Sequence, residues 1–174
     1  FTNRSISSSV DGAISVYAAD MDNDGDIDIL AAAQEEGKVY WFESDGAADP
    51  SFSATTITSS ADGIYSVYAK DLDNDGDMDI LSASHTSNVD LIAWYDNNGA
   101  ADPSFTARTI ATSADGAASV FAADLDGDGD QDVISASLND NTVAWYENNG
   151  AANPSSTAAH SFTAADIAIS ADGA

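Results

Sequence analysis

The nine residues DMDNDGDID, Asp20 to Asp28, return as DLDNDGDMD from Asp71 to Asp79 and as DLDGDGDQD from Asp124 to Asp132. Each copy sets carboxylates on alternate residues, with a glycine at its sixth position. Two carboxylates about 6 Å apart repel by roughly 0.7 kcal/mol in water, and by several times more near a protein surface. A loop carrying five of them is strained or disordered without a counter-charge. A hard divalent cation that prefers oxygen ligands turns the same loop into a site. The stretch therefore predicts three calcium sites, about one per full repeat, and its recurrence sets the frame for the rest of the chain.

Working outward from the loops, the same phase restarts at Phe1 (FTNRSISSSVDGA), Phe52 (FSATTITSSADGI), Phe105 (FTARTIATSADGA) and Phe162 (FTAADIAISADGA). In each full repeat the first loop aspartate (Asp20, Asp71 or Asp124) stands 19 residues after the phenylalanine, and a tryptophan (Trp41, Trp94 or Trp145) follows. The chain divides into repeats 1–51, 52–104 and 105–161 and a partial fourth, 162–174. The second repeat carries extra residues around His85 to Asp90, and the third is longer near Ser156 to Ser161.

Each repeat reads as four short strands. Ser15 to Ala19 alternates small and large residues, as do Ser66 to Lys70 and Ser119 to Ala123. Beyond the acidic loop, Ile29 to Ala33, Ile80 to Ala83 and Val133 to Ala136 are nearly all apolar, as suits strands buried on both faces. A third strand carries the aromatics: Val39 to Phe42, Leu91 to Tyr95 and Val143 to Tyr146. Polar turns rich in Gly, Asn, Asp and Pro follow, and then a Thr- and Ser-rich outer strand. No stretch holds a 3.6-residue period, so no helix is expected. Four strands per repeat of about 50 residues, with aromatics and turns in fixed phase, predict an all-β fold of β-propeller-type blades, each of four antiparallel strands. β-Helix repeats are much shorter, which argues against a solenoid.

Acidic residues number 30 against 4 Lys plus Arg, a formal charge of −26 in 174 residues, and half of the acidic residues sit in the three loops. Such a chain repels nucleic acid and anionic membranes, so no nucleic-acid partner is expected. There is no cysteine, and no apolar run approaches the ~20 residues that span a bilayer. Weak acidic calcium sites fill readily where calcium is millimolar, so a secreted, extracellular or cell-surface location is expected. No signal peptide is present, which for a secreted protein implies a mature or trimmed chain. The acidic excess also suits a saline habitat.

The combination ADxDxDGDxDxLxAS, then AWYENNG, then SFTxxTI resembles the FG-GAP-like (VCBS) repeat family, and the acidic loops are similar to the calcium loops of integrin α-subunit propellers. The resemblance covers essentially the whole chain, with the loop motif three times in one register. It implies calcium-binding propeller blades, often seven to a protein, in secreted and cell-surface proteins that include lectins. It also implies that the acidic loop joins the first two strands of a blade, which is where it falls here.

Within a loop, positions 1, 3 and 5 (Asp20, Asp22, Asp24) offer side-chain oxygens and Gly25 permits the sharp turn. Position 7 (Asp26) offers its backbone carbonyl and position 9 (Asp28) a further carboxylate. The equivalents are Asp71, Asp73, Asp75, Asp77 and Asp79, then Asp124, Asp126, Asp128, Asp130 and Asp132. An EF-hand is excluded, because Ala31, Ser82 and Ser135 stand where its bidentate Glu belongs. The bland alternative is a solvated, metal-free acidic turn, which the threefold repetition disfavours.

His85 and His160 have no counterparts in the other repeats and read as surface residues of insertions. The three tryptophans could stack on sugars, but a fixed blade position fits inter-blade core better. Asp11, Asp62, Asp115 and Asp172 precede glycines and read as turn formers. No set of residues forms a catalytic constellation, so no enzyme is expected.

Three blades are fewer than the usual four of a closed propeller. Phe1 to Ser8 reads as an outer strand whose own blade lies in further sequence or in a neighbouring molecule. Two function classes follow. One is a calcium-stabilised module for binding or adhesion, with a glycan or a cell-surface or matrix protein as partner. The other is a structural subunit of an extracellular assembly or filament, self-associating head to tail through open blade edges.

Overall fold

The computed structural model describes residues 2–86 and 89–150, and the backbone of strand residues 162–168. The first sheet contains β1 (Ala13–Ala19), β2 (Asp28–Ala33), β3 (Lys38–Ser44) and β4 (Phe52–Thr58), in that spatial order. The second contains β5 (Ile64–Lys70), β6 (Asp79–His85), β7 (Asp90–Asn97) and β8 (Phe105–Ala111). The third contains β9 (Ala117–Ala123), β10 (Asp132–Ser137), β11 (Thr142–Asn148) and β12 (Phe162–Ala168). Every pairing is antiparallel, each sheet is open, and no helix occurs among the described residues.

Period-2 alternation decides what each face buries. In the first sheet Leu30, Ala32, Val39 and Trp41 point one way, into a core completed by Ile64, Val67, Ala69, Ile80 and Tyr95 of the second. The second sheet turns Leu81, Ala83, Ile92 and Trp94 to its other side, against Ala117, Val120, Ala122, Val133 and Tyr146 of the third. One packing scheme is thus used twice. The inner strands β1, β5 and β9 lie side by side, as in neighbouring propeller blades. Their aromatics form a short stack, with ring centroids 4.7 Å apart for Tyr17–Tyr68 and 4.5 Å for Tyr68–Phe121.

Trp41 and Trp94 pair across the sheet with Leu30 and Leu81 and lie wholly within these cores, where no sugar can stack on them. Each first strand begins at or before the residue expected and carries a bulge, at Ala13/Ser15 in β1 and Ile64/Ser66 in β5. The third strands run past the aromatics to Ser44, Asn97 and Asn148, an extension that becomes important at the loops.

One expectation is corrected. Residues 2–8 form no strand. β4, β8 and β12 each draw their ladder from the third strand of their own sheet, β3, β7 and β11, and residues 2–8 pair with no strand among the described residues. Instead the segment lies along the outer edge of the first blade, where Arg4 ion-pairs with Asp49.

Candidate metal centres

The acidic loops join β1 to β2, β5 to β6 and β9 to β10. Local rules fold them. The first aspartate caps the turn: Asp20 Oδ1 accepts from the Asp24 N–H at 3.2 Å and Oδ2 from the Gly25 N–H at 2.9 Å. Asp71 repeats both bonds with Asp75 and Gly76. The turn takes Asn23 and Asn74 to φ 60° and Gly25 and Gly76 to φ 94° and 98°, left-handed values that Asn tolerates and Gly adopts freely.

The ninth position anchors the loop to its blade. Asp28 is buried, and its two oxygens accept the N–H of Met21 (3.1 Å) and of Ser44 (2.8 Å). Asp79 does the same with Leu72 (3.0 Å) and Asn97 (2.8 Å), and Asp132 with Leu125 (3.0 Å) and Asn148 (2.8 Å). Each loop is thereby fastened to the end of its third strand.

Carboxylate oxygens of Asp20, Asp22 and Asp28 lie within 4.8 Å of one another, as do those of Asp71, Asp73 and Asp79. In the third loop the corresponding group is Asp124, Asp126 and Asp128. That loop differs at its fourth residue, Gly127, whose N–H takes Asp124 Oδ1 at 2.7 Å in place of the fifth residue's N–H. Asp24 and Asp75 lie outside their groups, each accepting an N–H from two residues on, at 2.8 and 2.9 Å.

The side chains at position seven lie outside the clusters. Asp77 Oδ1 accepts from Asn23 Nδ2 at 2.7 Å and Asp130 Oδ1 from Asn74 Nδ2 at 2.9 Å, each across a blade boundary. Asp26, Asp77 and Asp130 also lie over Gly46, Gly99 and Gly150, where a Cβ would overlap the carboxylate.

The electrostatics of the loops favour a counter-charge. Asp73 is 6% exposed, yet neither of its buried carboxylate oxygens has a hydrogen-bond partner. Burial first, then the charges of Asp75 and Asp96, push its carboxyl up to about 6. Burial raises Asp79 to about 8 even though two backbone N–H groups favour its charged form. Asp22 and Asp77 are raised as well, mainly by burial. An unpaired buried carboxylate is among the costliest groups to leave uncompensated. The donor set is oxygen only, without thiolate or imidazole, which selects a hard cation such as calcium. The residues fit that ion. Asp20, Asp22 and Asp28, Asp71, Asp73 and Asp79, and Asp124, Asp126 and Asp128 would hold it. Its charge would offset the repulsion that the bare loops carry.

A model of the FG-GAP-like repeat matches residues 20–82, 71–135 and 124–174, three overlapping units that each open on the first aspartate of a loop. The chain belongs to the FG-GAP-like repeat family. Its members form β-propeller-like repeat modules that are structural or binding elements and not typically enzymes. No curated protein matches the chain.

Within this FG-GAP-like array a second group of titratable residues lies apart from the loops. His85 Nδ1 is 2.7 Å from Asp90 Oδ1, and Asn139 Nδ2 lies 3.2 Å from His85 Nε2 and 2.9 Å from Asp115 Oδ1. His85 is therefore no bare surface residue but part of a half-buried clamp between the second and third blades, with its ring atoms already partnered. His160 and Asp172 lie outside the described residues.

Sequence reading missed Asn97 and Asn148, taking their NNG triplets as turn signals alone. Asn97 Nδ2 donates to the carbonyl of Met21 in the preceding blade's loop (3.0 Å) and to that of Met78 (3.0 Å). Asn148 Nδ2 repeats this with Leu72 (2.9 Å) and Gln131 (3.1 Å). The available signal was that Ser44 replaces Asn at this position in the first blade only.

Proposed function

We propose that this chain is a calcium-stabilised, extracellular β-propeller repeat module for binding or adhesion, with a glycan or a cell-surface or matrix protein as its partner. The observation that carries the calcium reading is Asp73, a buried carboxylate with no partner inside a cluster of three. Weak oxygen-only sites fill where calcium is millimolar, which supports an extracellular setting. The metal acts as a staple between the first two strands of each blade, leaving ligand recognition to other surfaces. Two measurements test this together: thermal melting across a millimolar calcium titration, and a glycan array with and without chelator. A melting point indifferent to calcium overturns the metal assignment, and an array blank in both conditions overturns the lectin reading.

The exposed blade faces favour a second reading, a structural subunit that assembles head to tail. Val16 is 69% exposed, while its equivalents Val67 and Val120 are 4% and 5% exposed under the neighbouring blade. On the opposite face Leu125 is 43% exposed, while Met21 and Leu72 at that position are fully buried. The two outer faces are thus the two halves of a contact the chain makes twice internally. Sedimentation with calcium separates the readings. Ordered oligomers that Val16→Asp or Leu125→Asp abolishes, and that a mixture of the two variants restores as dimers, support assembly. A monomer at all concentrations rules it out.

A further inference from the structure

The three loops are joined to one another by an unbroken run of hydrogen bonds. Asp28 accepts from the Met21 N–H (3.1 Å), and the carbonyl of Met21 accepts from Asn97 Nδ2 (3.0 Å). The Asn97 N–H donates to Asp79 (2.8 Å), whose other oxygen accepts from the Leu72 N–H (3.0 Å). The carbonyl of Leu72 accepts from Asn148 Nδ2 (2.9 Å), and the Asn148 N–H donates to Asp132 (2.8 Å). A second link runs in parallel through Asn23 to Asp77 (2.7 Å) and Asn74 to Asp130 (2.9 Å). Asn97 and Asn148 are almost wholly buried, so their bonds have little competition from water, whereas those of Asn23 and Asn74 are exposed.

We propose that the loops bind divalent cations as one coupled unit, with Asn97 and Asn148, helped by Asn23 and Asn74, as the positioning residues that carry the coupling. The inference rests on the calcium reading and adds a sign to it. Fixing the first loop around an ion fixes Met21, and Met21 holds the side chain of the residue whose backbone N–H orients Asp79. The second loop then has less freedom left to lose when its own ion binds, which is positive coupling through ordering. Direct electrostatics act in the opposite sense. Two divalent ions about 10 Å apart, the spacing of packed sheets, disfavour each other about twofold across water at physiological salt, and more where the loops are shielded from solvent. Coupling through an ordered element is typically about 5–150-fold, which exceeds the repulsion across solvated loops.

The chain itself supplies the test residues. Ser44 occupies the Asn97 position in the first blade and keeps two of the in-blade bonds, with its N–H on Asp28 and its Oγ accepting from the Gly46 N–H, but not the in-blade bond that Asn97 Nδ2 makes to the Met78 carbonyl. Gly127 occupies the Asn23 position in the third loop. Asn23→Gly with Asn97→Ser therefore strips the first boundary using residues the fold already tolerates, and Asn74→Gly with Asn148→Ser does so at the second. Calcium binding to the whole chain is measured by chelator competition and calorimetry. Near-UV circular dichroism of the calcium-free proteins shows that each variant is folded.

The unaltered chain is expected to bind three ions with a Hill coefficient above one. Each double variant is expected to bind three with a coefficient nearer one and a half-saturating concentration raised about fivefold. A purely structural role would lower calcium-free stability and leave the ratio of stepwise constants unchanged. Three ions bound with a coefficient of one or below, or variant isotherms that superimpose on the parent, overturn the coupling and leave the calcium reading standing. No bound ions overturn both.

Discussion

Asp73→Ala is expected to change the sign of its effect when calcium is removed. With calcium present, the substitution deletes a ligand. Extracellular modules hold calcium with Kd of about 10⁻⁴ to 10⁻³ M, so at about 10 mM one filled site contributes roughly 1.4–2.7 kcal/mol. For a domain of this size that corresponds to about 3–10 °C of melting temperature. In chelator the same carboxylate is a liability. Its two oxygens are buried and unpartnered, and its carboxyl is pushed up to about 6, first by burial. Ionising such a group at pH 7.5 costs roughly 3 kcal/mol, to be discounted to about 1–2 kcal/mol because solvent and neighbouring charges screen the loop. Asp73→Ala should therefore melt about 2–8 °C above the parent in chelator and below it in calcium. Calorimetric or fluorimetric melting of both proteins in 10 mM calcium and in chelator, at one pH and ionic strength, decides the matter. Equal destabilisation in the two buffers would refute the reasoning, because it would mean that Asp73 supports the fold by some means other than holding a cation.

Asp73 and Asp79 have folded values above those of the unfolded chain, so their contribution is fully present below pH ~4 and is lost as pH rises through about 6 and then about 8. The calcium-free protein should accordingly melt higher near pH 5 than at pH 8.5, while the increment given by calcium grows over the same interval; melting points that do not move with pH would contradict the burial of these groups. Trp94→Ala should cost about 3–5 kcal/mol by opening a cavity between the second and third blades. The same change at half-buried Trp145 should cost clearly less, and urea unfolding compares the two. Gly99→Ala should lower stability by about 1–3 kcal/mol, because φ is +62° there and the new Cβ meets Asp77 Oδ2 and takes space that the Asn23–Asp77 bond needs. A melting curve unchanged from the parent would show that the crowding is relieved without loss.

The blade pattern was legible because it follows from local rules applied at a fixed period. Leu30 and Ala32 alternate with Ile29 and Ala31, so the strand and both of its buried faces can be read from Ile29 to Ala33 alone. The loop was legible for the same reason: Gly25 at the sixth position and carboxylates on alternate residues fix a turn whatever surrounds it. What could not be read depends on residues far apart in sequence. Asn97 lies 76 positions from Met21, and nothing near it distinguishes a turn-forming Asn from one that spans two blades. Residues 2–8 failed in the opposite way, since their sequence suits an outer strand but no strand among the described residues pairs with them. Position nine is expected from the sequence to be a ligand, but its engagement by two backbone N–H groups was hidden, because those groups come from the loop start and from the end of the third strand.

The boundary residues also limit how far the hydrogen-bonded run extends. Asn97 and Asn148 each reach back to the blade before, and Asn23 and Asn74 each reach forward to the blade after. The first blade has Ser44 where a backward-reaching Asn would stand, and the third has Gly127 where a forward-reaching Asn would stand. Ser44 Oγ accepts from the Gly46 N–H and is too short to donate to a neighbouring loop as Asn97 does. Both outward-facing links are therefore missing, and a head-to-tail contact between two copies would bring together the two positions that lack them. Such a contact would be held by apolar faces such as Val16 and Leu125 and would not transmit cation binding between molecules. Restoring the pair with Ser44→Asn and Gly127→Asn should then tighten any self-association several-fold, the buried hydrogen bond contributing roughly 0.5–1.5 kcal/mol and the exposed one less. Sedimentation equilibrium in calcium measures this directly. An association constant unmoved by the double substitution would show that the outer faces of the array do not meet as its inner faces do.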